Sequence, residues 1–523
     1  MNRLISFINT KKIRLVLFFL FILASLYDGI YLRKIGYNVI PEPGVILDEY
    51  TNVWHGLSIR ENGLPVAWSS LPAYKDNAYK TGSGGDLKGF GIRIGDSKIN
   101  FRNFKGFPNP ILIVQEIDLT KNYSFGKGAK HVWFVEPYLD HPPIGTLMLS
   151  LGVPSTTKNF LDLDSIDMRR VSLYLAVIVQ ILIAIVAYQL SGSLLVSLFS
   201  SFIYATAPSY LLLSRYALLE NVLTPLLLVS LSTLLFIHSN NKINGTLVNK
   251  ILLVLAGVIS GMCALTKLSG WTSIFLGLVL LIKWKALKRE IFLFCIPGVV
   301  IGSLYFLWGL YLSPRLFLDL TIFQGIARGF IGPINLLVTA WKVSILNFPV
   351  DGWWTGGFIA FLLVKNKKEY FPIYASTILI LLSALVLVGA NYPWYFIPLI
   401  PFMCIVTAIF IHQLITKPNF IDILILFFVF VSTSFYWGYG VFYAAKVENN
   451  YSQPFMYYRL LAVVFLGLAF VSEFLNKNKR YKRLWSYFFV ALFFALVLLN
   501  HHGIIYMLAN WGKLPLIYTP GTF

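Results

Sequence analysis

"GVILDEYTNVWHGLSIRENGLP" (residues 44–65) follows closely on the first long apolar run of the chain, residues 14–32. It sets two carboxylates, Asp48 and Glu49, side by side in a sequence that is only 13% charged. Apolar and polar residues alternate along it with a helical period. Asn62-Gly63 and Pro65 then close it, so it reads as an amphipathic helix lying near a membrane interface. A buried carboxylate is costly. What the pair can do depends on which side of the membrane it faces, and on what else faces that way.

The chain has 523 residues, 57% hydrophobic and 16% aromatic, with a mean hydropathy of +0.70. That apolar content exceeds what a soluble fold can bury and defines an all-α polytopic membrane protein. A helical span needs about 20 apolar residues, and about thirteen transmembrane helices are expected. They fall at 14–32, 171–190, 194–213, 219–237, 251–266, 269–284, 291–312, 351–364, 371–390, 396–415, 421–444, 456–475 and 484–507. Cys263, Cys295 and Cys404 all lie within these segments, where packing is their expected role and a disulfide framework is excluded. The first apolar run has no small-residue cleavage site after it and is expected to be a retained span.

The formal net charge is +20, and its distribution argues for topology over nucleic-acid binding. With the N-terminus inside, 19 of the 43 basic residues fall in inward short segments, among them "KWKALKR" (283–289) and "KNKRYKR" (477–483). Outward short segments hold only eight, which is the positive-inside bias. The expected organisation is a cytoplasmic N-terminus (1–13), a first span (14–32), an extracytoplasmic loop (33–170), a transmembrane core (171–415) and C-terminal helices with a tail (416–523). Within the large first loop, residues 66–135 contain alternating stretches such as "SKINFRNF" and "ILIVQEIDL". They are expected to form a small β insert between two interfacial helices.

On this topology six segments deliver uncommon polar groups to one membrane face: Asp48-Glu49, Asp140-His141 in "LDHPPIG", Arg169-Arg170 in "DMRRVS", Arg215 and Glu220 in "SRYALLEN", Lys267 in "ALTKLSG", and Tyr392, Trp394 and Tyr395 in "NYPWYFIPLIPF". Each has a plain reading by itself. The arginines could snorkel to headgroups, Lys267 could anchor a helix end, the aromatics could form an interfacial belt, His141 could cap the Pro-Pro turn, and the carboxylates could solvate a helix face. Their joint occurrence on one side is what marks a functional site.

The sequence contexts point the same way. "LDEYTNVWHGLSIRENG" resembles the Asp-Glu motif of the membrane glycosyltransferases of the GT-C fold. "DHPPIGTLMLSLG" is similar to the "HPPL" segment of the protein O-mannosyltransferase and aminoarabinose-transferase superfamily (glycosyltransferase family 39-like). "MRRVS", "SRYALLEN" and "YPWYFIPLIPF" resemble further segments of that superfamily, in the same order, over residues 14–415. Two positions depart from its pattern: the acid of the third segment is Glu220, and the arginine that often precedes the late tyrosine is replaced in "NYPWY". The 66–135 insert has no counterpart in it.

The resemblance implies a transferase that moves a sugar from a polyprenyl-phosphate-linked donor to an acceptor hydroxyl on a protein, lipid or glycan. The active site would face outside the plasma membrane, as part of the machinery of the cell envelope and of protein glycosylation. A phosphate leaving group needs cations around its developing charge, for which Arg170, Arg215 and Lys267 are the available candidates. His141, Tyr392 and Tyr395 are expected to help bind the donor. The acceptor hydroxyl must lose a proton, and Asp48 is the expected general base. Glu49 and Glu220 would orient the acceptor or, with Asp48, hold a divalent metal ion, although no ligand spacing is diagnostic of one. A single displacement would invert the anomeric centre. The competing reading is a transporter or flippase of lipid-linked or small-molecule substrates. Such proteins usually show paired halves and broken helices at the midplane, neither of which is visible here.

Overall fold

The computed structural model describes residues 11–40, 47–63, 65–69, 71, 73–74, 88–91, 113–116, 131–157, 163–239, 246–324, 352–364, 368–387, 393–435, 452–475 and 479–509. The chain begins with α1 (Lys11–Lys34), followed by α2 (Leu47–Asn62). Four short strands come next: β1 (Ala67–Trp68), β2 (Lys88–Gly91), β3 (Ile113–Glu116) and β4 (His131–Glu136). They form a small antiparallel sheet organised on β4, with Ala67 opposite Val135. A small β insert is expected here, and β3 lies within the alternating stretch "ILIVQEIDL"; "SKINFRNF" lies outside the described residues. Then come α3 (Pro143–Ser150), α4 (Ser165–Ser191), α5 (Leu194–Thr206), α6 (Pro208–Leu213), α7 (Leu219–Ser239), α8 (Leu247–Thr266), α9 (Trp271–Lys283), α10 (Lys288–Leu312) and α11 (Pro314–Ile322). The remaining helices are α12 (Gly352–Leu363), α13 (Phe371–Leu387), α14 (Ile400–Thr416), α15 (Phe420–Ile425), α16 (Ser432–Phe435), α17 (Ser452–Leu475) and α18 (Lys479–Ala509).

Each of the thirteen predicted apolar segments contains a helix. Among the described residues, seven helices are long and apolar enough to cross a membrane, and six further apolar helices are shorter. Two helices extend past the expected spans into the expected first loop. α1 runs on through Arg33 and Lys34, and α4 starts at Ser165 where a span from 171 is expected. Arg33 and Arg169 do not end these helices, because both find partners inside the protein. The true start of α4 is set by Asp164, whose carboxylate accepts the Ile166 N–H at 2.9 Å. Its end is set by Gly192 in the left-handed region.

The core is made by helices packing on helices, with α14 as the buried axis. In the Trp394–Thr416 span 89% of the most apolar window is buried, against 17% for the first span, whose large side chains point outward. Where two helices approach most closely, glycine makes it possible. A Cβ on Gly257 of α8 would lie 2.2 Å from the Phe294 carbonyl of α10, and one on Gly261 would lie 2.6 Å from Ile301 Cβ. Polar bonds tie α1, α4 and α5 in the interior: Gln180 Nε2 donates to the Ser25 carbonyl at 2.9 Å, and the Ser25 and Ser201 hydroxyls are 2.9 Å apart. Because the long helices alternate in direction, the C-terminal ends of α1 and α8 and the N-terminal ends of α4, α7 and α14 share one end of the bundle. α2 and α3 dock there.

Candidate active site

The docking of α2 decides where the two carboxylates go. Tyr50, Val53, Trp54 and Leu57 pack with Leu149, Met168, Leu175, Ala217, Leu219 and Val222, so one face of α2 is pinned to α3, α4 and the start of α7. The approach to α3 is tight: a Cβ on Gly56 would sit 1.9 Å from the Thr146 carbonyl oxygen. Arg60 reinforces it from the far end of α2, donating to the Ser150 and Val153 carbonyls at 2.5 and 2.9 Å.

Asp48 and Glu49 diverge from the first turn of α2. Glu49 is fully buried and forms a two-pronged ion pair with Arg169, Nε to Oε1 at 2.9 Å and Nη2 to Oε2 at 2.6 Å. Its Oε1 also accepts the Ala217 N–H at 2.8 Å. Arg169 donates further to the Tyr37 carbonyl at 2.8 Å and lies over the Tyr216 ring. Asp48 is half-buried, in the first turn of α2. It shares a helical face with Asn52 and His55, four and seven residues on. Asn52 reaches the Ala217 carbonyl at 3.5 Å, so this face of α2 looks onto the turn that leads to Glu220.

His55 is a feature the sequence reading passes over. Its Nδ1 lies 3.0 Å from the Thr146 hydroxyl, which donates its own proton to the Pro143 carbonyl at 2.9 Å. Nδ1 is therefore the donor, and the buried Nε2 is an acceptor that has no hydrogen-bond partner among the described residues. Burial pushes the His55 pKa down to about 3, so the ring is neutral at ordinary pH. The ring packs 4.7 Å from that of Tyr138, whose edge in turn faces His141 at 6.4 Å. Beside His141, Asp140 accepts from Ser69 and Tyr74, both at 2.7 Å. Asp140 thus holds the turn after β4, and its negative charge adds to burial in raising the Tyr74 pKa.

A cavity of about 660 Å³ opens between α7, α9, α10, α13 and the turn before α14. Its walls are mostly apolar, with Leu223, Trp271, Phe306 and Leu379 among them. His141, Lys267 and Tyr395 bring the ionisable and phenolic groups to it. Lys267 follows the end of α8. Its ammonium donates to Glu220, in the first turn of α7, and lies 4.1 Å from the centre of the Tyr395 ring. Both members of that ion pair are largely withdrawn from solvent, with 12% of the Lys267 side chain and 3% of Glu220 exposed.

The expected convergence of Arg170, Arg215 and Lys267 on one phosphate is not what the fold provides. Of the three, Lys267 lines the cavity. Arg215 is wholly buried and donates to the Ile40 and Leu32 carbonyls at 3.0 and 2.5 Å, fastening the last turn of α1 and the segment after it. Burial, with Arg33 and Arg169 close by, lowers its pKa to about 9, which leaves it charged at neutral pH. Arg170 is on the exposed stripe of α4 that continues through Tyr174, Ile178, Ile181 and Ile185, and it pairs with Asp167. Its neighbour Arg169 is on the buried stripe with Ser172, Ala176, Val179 and Ile183. The small and polar residues Ser172, Ala176 and Gln180 on the buried side, against Tyr174, Ile178 and Ile181 on the exposed one, are the signal that separates the two arginines. Tyr392 lies outside the described residues. Among the described residues no three His, Cys, Asp or Glu side chains gather as a metal site. Glu49 and Glu220 each serve a different cation.

An Asp-Glu helix, a Pro-Pro-initiated helix and a mostly apolar cavity with Lys267 in its wall meet at one end of the bundle, and the chain has the GT-C fold. The profile of the dolichyl-phosphate-mannose-protein mannosyltransferase family matches residues 136–294, from the end of β4 into α10. The structure is similar to ArnT from Cupriavidus metallidurans bound to undecaprenyl phosphate, with a TM-score of 0.50, 14% identity, and 95% of this chain and 78% of that one covered. The apo state of the same ArnT matches over 70% of this chain and 67% of that one, with a TM-score of 0.43 and 16% identity. The Archaeoglobus fulgidus oligosaccharyltransferase matches at a TM-score of 0.37 and 12% identity, with 64% of this chain and 48% of that one covered. No curated protein sequence matches the chain.

Proposed function

We propose that the protein is a glycosyltransferase that takes a sugar from a polyprenyl-phosphate donor and places it on an acceptor hydroxyl at the extracytoplasmic face of the membrane. The observation that carries this reading is the cavity: mostly apolar walls suited to isoprene units, with Lys267 among its lining residues to meet a phosphate. ArnT with undecaprenyl phosphate has the same fold, which supports a lipid phosphate as the ligand class.

In the reaction Asp48 takes the proton of the acceptor hydroxyl as its oxygen attacks the anomeric carbon. The bond from that carbon to the phosphate oxygen breaks, and the electron pair leaves with the lipid phosphate. Lys267 stabilises the charge that develops on the leaving phosphate. General-base assistance of this kind contributes about 10²–10⁴ in rate. A one-step displacement inverts the anomeric centre. Glu49 acts by holding the first turn of α2 through Arg169, so that Asp48 is presented in a fixed place.

The test is direct. Purified protein in nanodiscs is incubated with the polyprenyl-phosphate sugars extracted from host membranes, and the lipids are followed by mass spectrometry. Loss of one sugar-bearing species with a matching gain of polyprenyl phosphate is the expected result. An unchanged lipid profile in the presence of host acceptor extract would overturn the assignment and favour a transporter.

A further inference from the structure

Glu220 holds the cation that a donor phosphate entering the cavity would meet. It is buried in the first turn of α7 and accepts the hydrogen bond of the Lys267 ammonium, the cation of the cavity wall, while Tyr395 backs the same ammonium from below. Breaking a buried pair by removing one partner is strongly unfavourable, because a charge is left without compensation. A phosphate therefore cannot simply add to Lys267 as to a free cation: it competes with a carboxylate already in place.

We propose that Glu220 is a built-in stand-in for the phosphate, and that a phosphate monoester or diester binds this site by exchange with it. Resting on the donor reading above, this assigns Glu220 a part in setting donor affinity instead of in orienting the acceptor or holding a metal. The exchange is feasible because each group keeps a partner. Lys267 trades one oxyanion for another while its contact with the Tyr395 ring is retained. Glu220, once released, still lies in the first turn of a 21-residue helix, where the helix dipole favours an anion. The stand-in keeps the Lys267 charge compensated within a largely apolar cavity when no donor is present. It also lets the product lipid phosphate leave, because the carboxylate returns as the phosphate departs.

The experiment measures binding of undecaprenyl phosphate, without sugar, to the full chain in nanodiscs. It compares wild type, Glu220→Gln and Lys267→Gln, with inorganic phosphate as a competitor. Glutamine keeps the shape and an acceptor oxygen but removes the competing charge, so Glu220→Gln is expected to bind about tenfold tighter or better. Lys267→Gln is expected to lose binding. Inorganic phosphate at millimolar concentration is expected to compete poorly, because it gains nothing from the apolar walls. Unchanged or weaker binding by a folded Glu220→Gln, with wild type binding normally, would overturn the exchange and make Glu220 a positioning residue for Lys267. Absence of binding by wild type and Glu220→Gln alike would overturn both the exchange and the donor reading. Full competition by inorganic phosphate would support the exchange and overturn the lipid as its ligand.

Discussion

Asp48 and Glu49 are neighbours in one helical turn, and the fold gives them opposite tasks. Glu49 is sealed against Arg169 with no exposure, and its oxygens are filled by a guanidinium and a backbone N–H. Asp48 stays half-buried on the face shared with Asn52 and His55. Glu49→Gln leaves the Arg169 charge buried without its partner, and the expected loss is roughly 3–5 kcal/mol of stability, seen as a lowered thermal midpoint in detergent. The pair Glu49→Leu with Arg169→Met should recover part of it. A midpoint equal to wild type in the single variant would contradict the buried pair. His55 gives a second expectation at this scale. Its pKa is about 3 when folded and near the ordinary 6.5 when unfolded, so between those values the unfolded chain binds the extra proton and stability rises with pH. Stability is fully present above pH 6.5 and falls as the pH drops towards 3. His55→Gln should flatten that slope in a pH series of thermal melts, and an unchanged slope would show that His55 is not its source.

At the scale of elements, the junction of α2 and α3 carries the site, and it depends on a glycine. Gly56→Leu would drive a side chain into the Thr146 backbone, where even a Cβ would be 1.9 Å from the oxygen. The expected outcome is loss of transfer activity through the displacement of Asp48; wild-type turnover by this variant would separate the position of α2 from catalysis. Much of this level is legible in sequence. Apolar length gives the helices, Asn62-Gly63 and Pro65 close α2, and the alternation in 66–135 gives the strands. What is not legible is which side of each helix meets a partner. Arg169 and Arg170 are adjacent and chemically alike, and only the phase of the buried stripe on α4 separates them. Arg215 has the composition of a phosphate ligand, yet its partners are the Leu32 and Ile40 carbonyls far away in sequence. His55 looks like an ordinary helical residue until α3 is packed against it.

At the scale of the whole molecule, the account requires α2, α3 and the cavity at the outer face. With Cys263, Cys295 and Cys404 replaced, single cysteines at Glu61 and Lys288, both exposed, are expected to differ in intact cells. A membrane-impermeant thiol reagent should label position 61 and spare position 288; labelling of both from outside would sink the topology. On the expected topology 19 of the 43 basic residues fall in short segments on the opposite side. The β insert lies over the same end of the bundle as α2, through the packing of Ala67, Tyr74 and Val135 with Leu139, Leu265 and Tyr305. The claim on which the rest depends is that Asp48 removes the proton of the acceptor. Asp48→Asn preserves size and most hydrogen bonding but not the base, and its turnover is to be measured alongside its affinity for undecaprenyl phosphate. The expected result is a rate lowered by about 10²-fold or more with lipid binding retained. Turnover at the wild-type rate would contradict it.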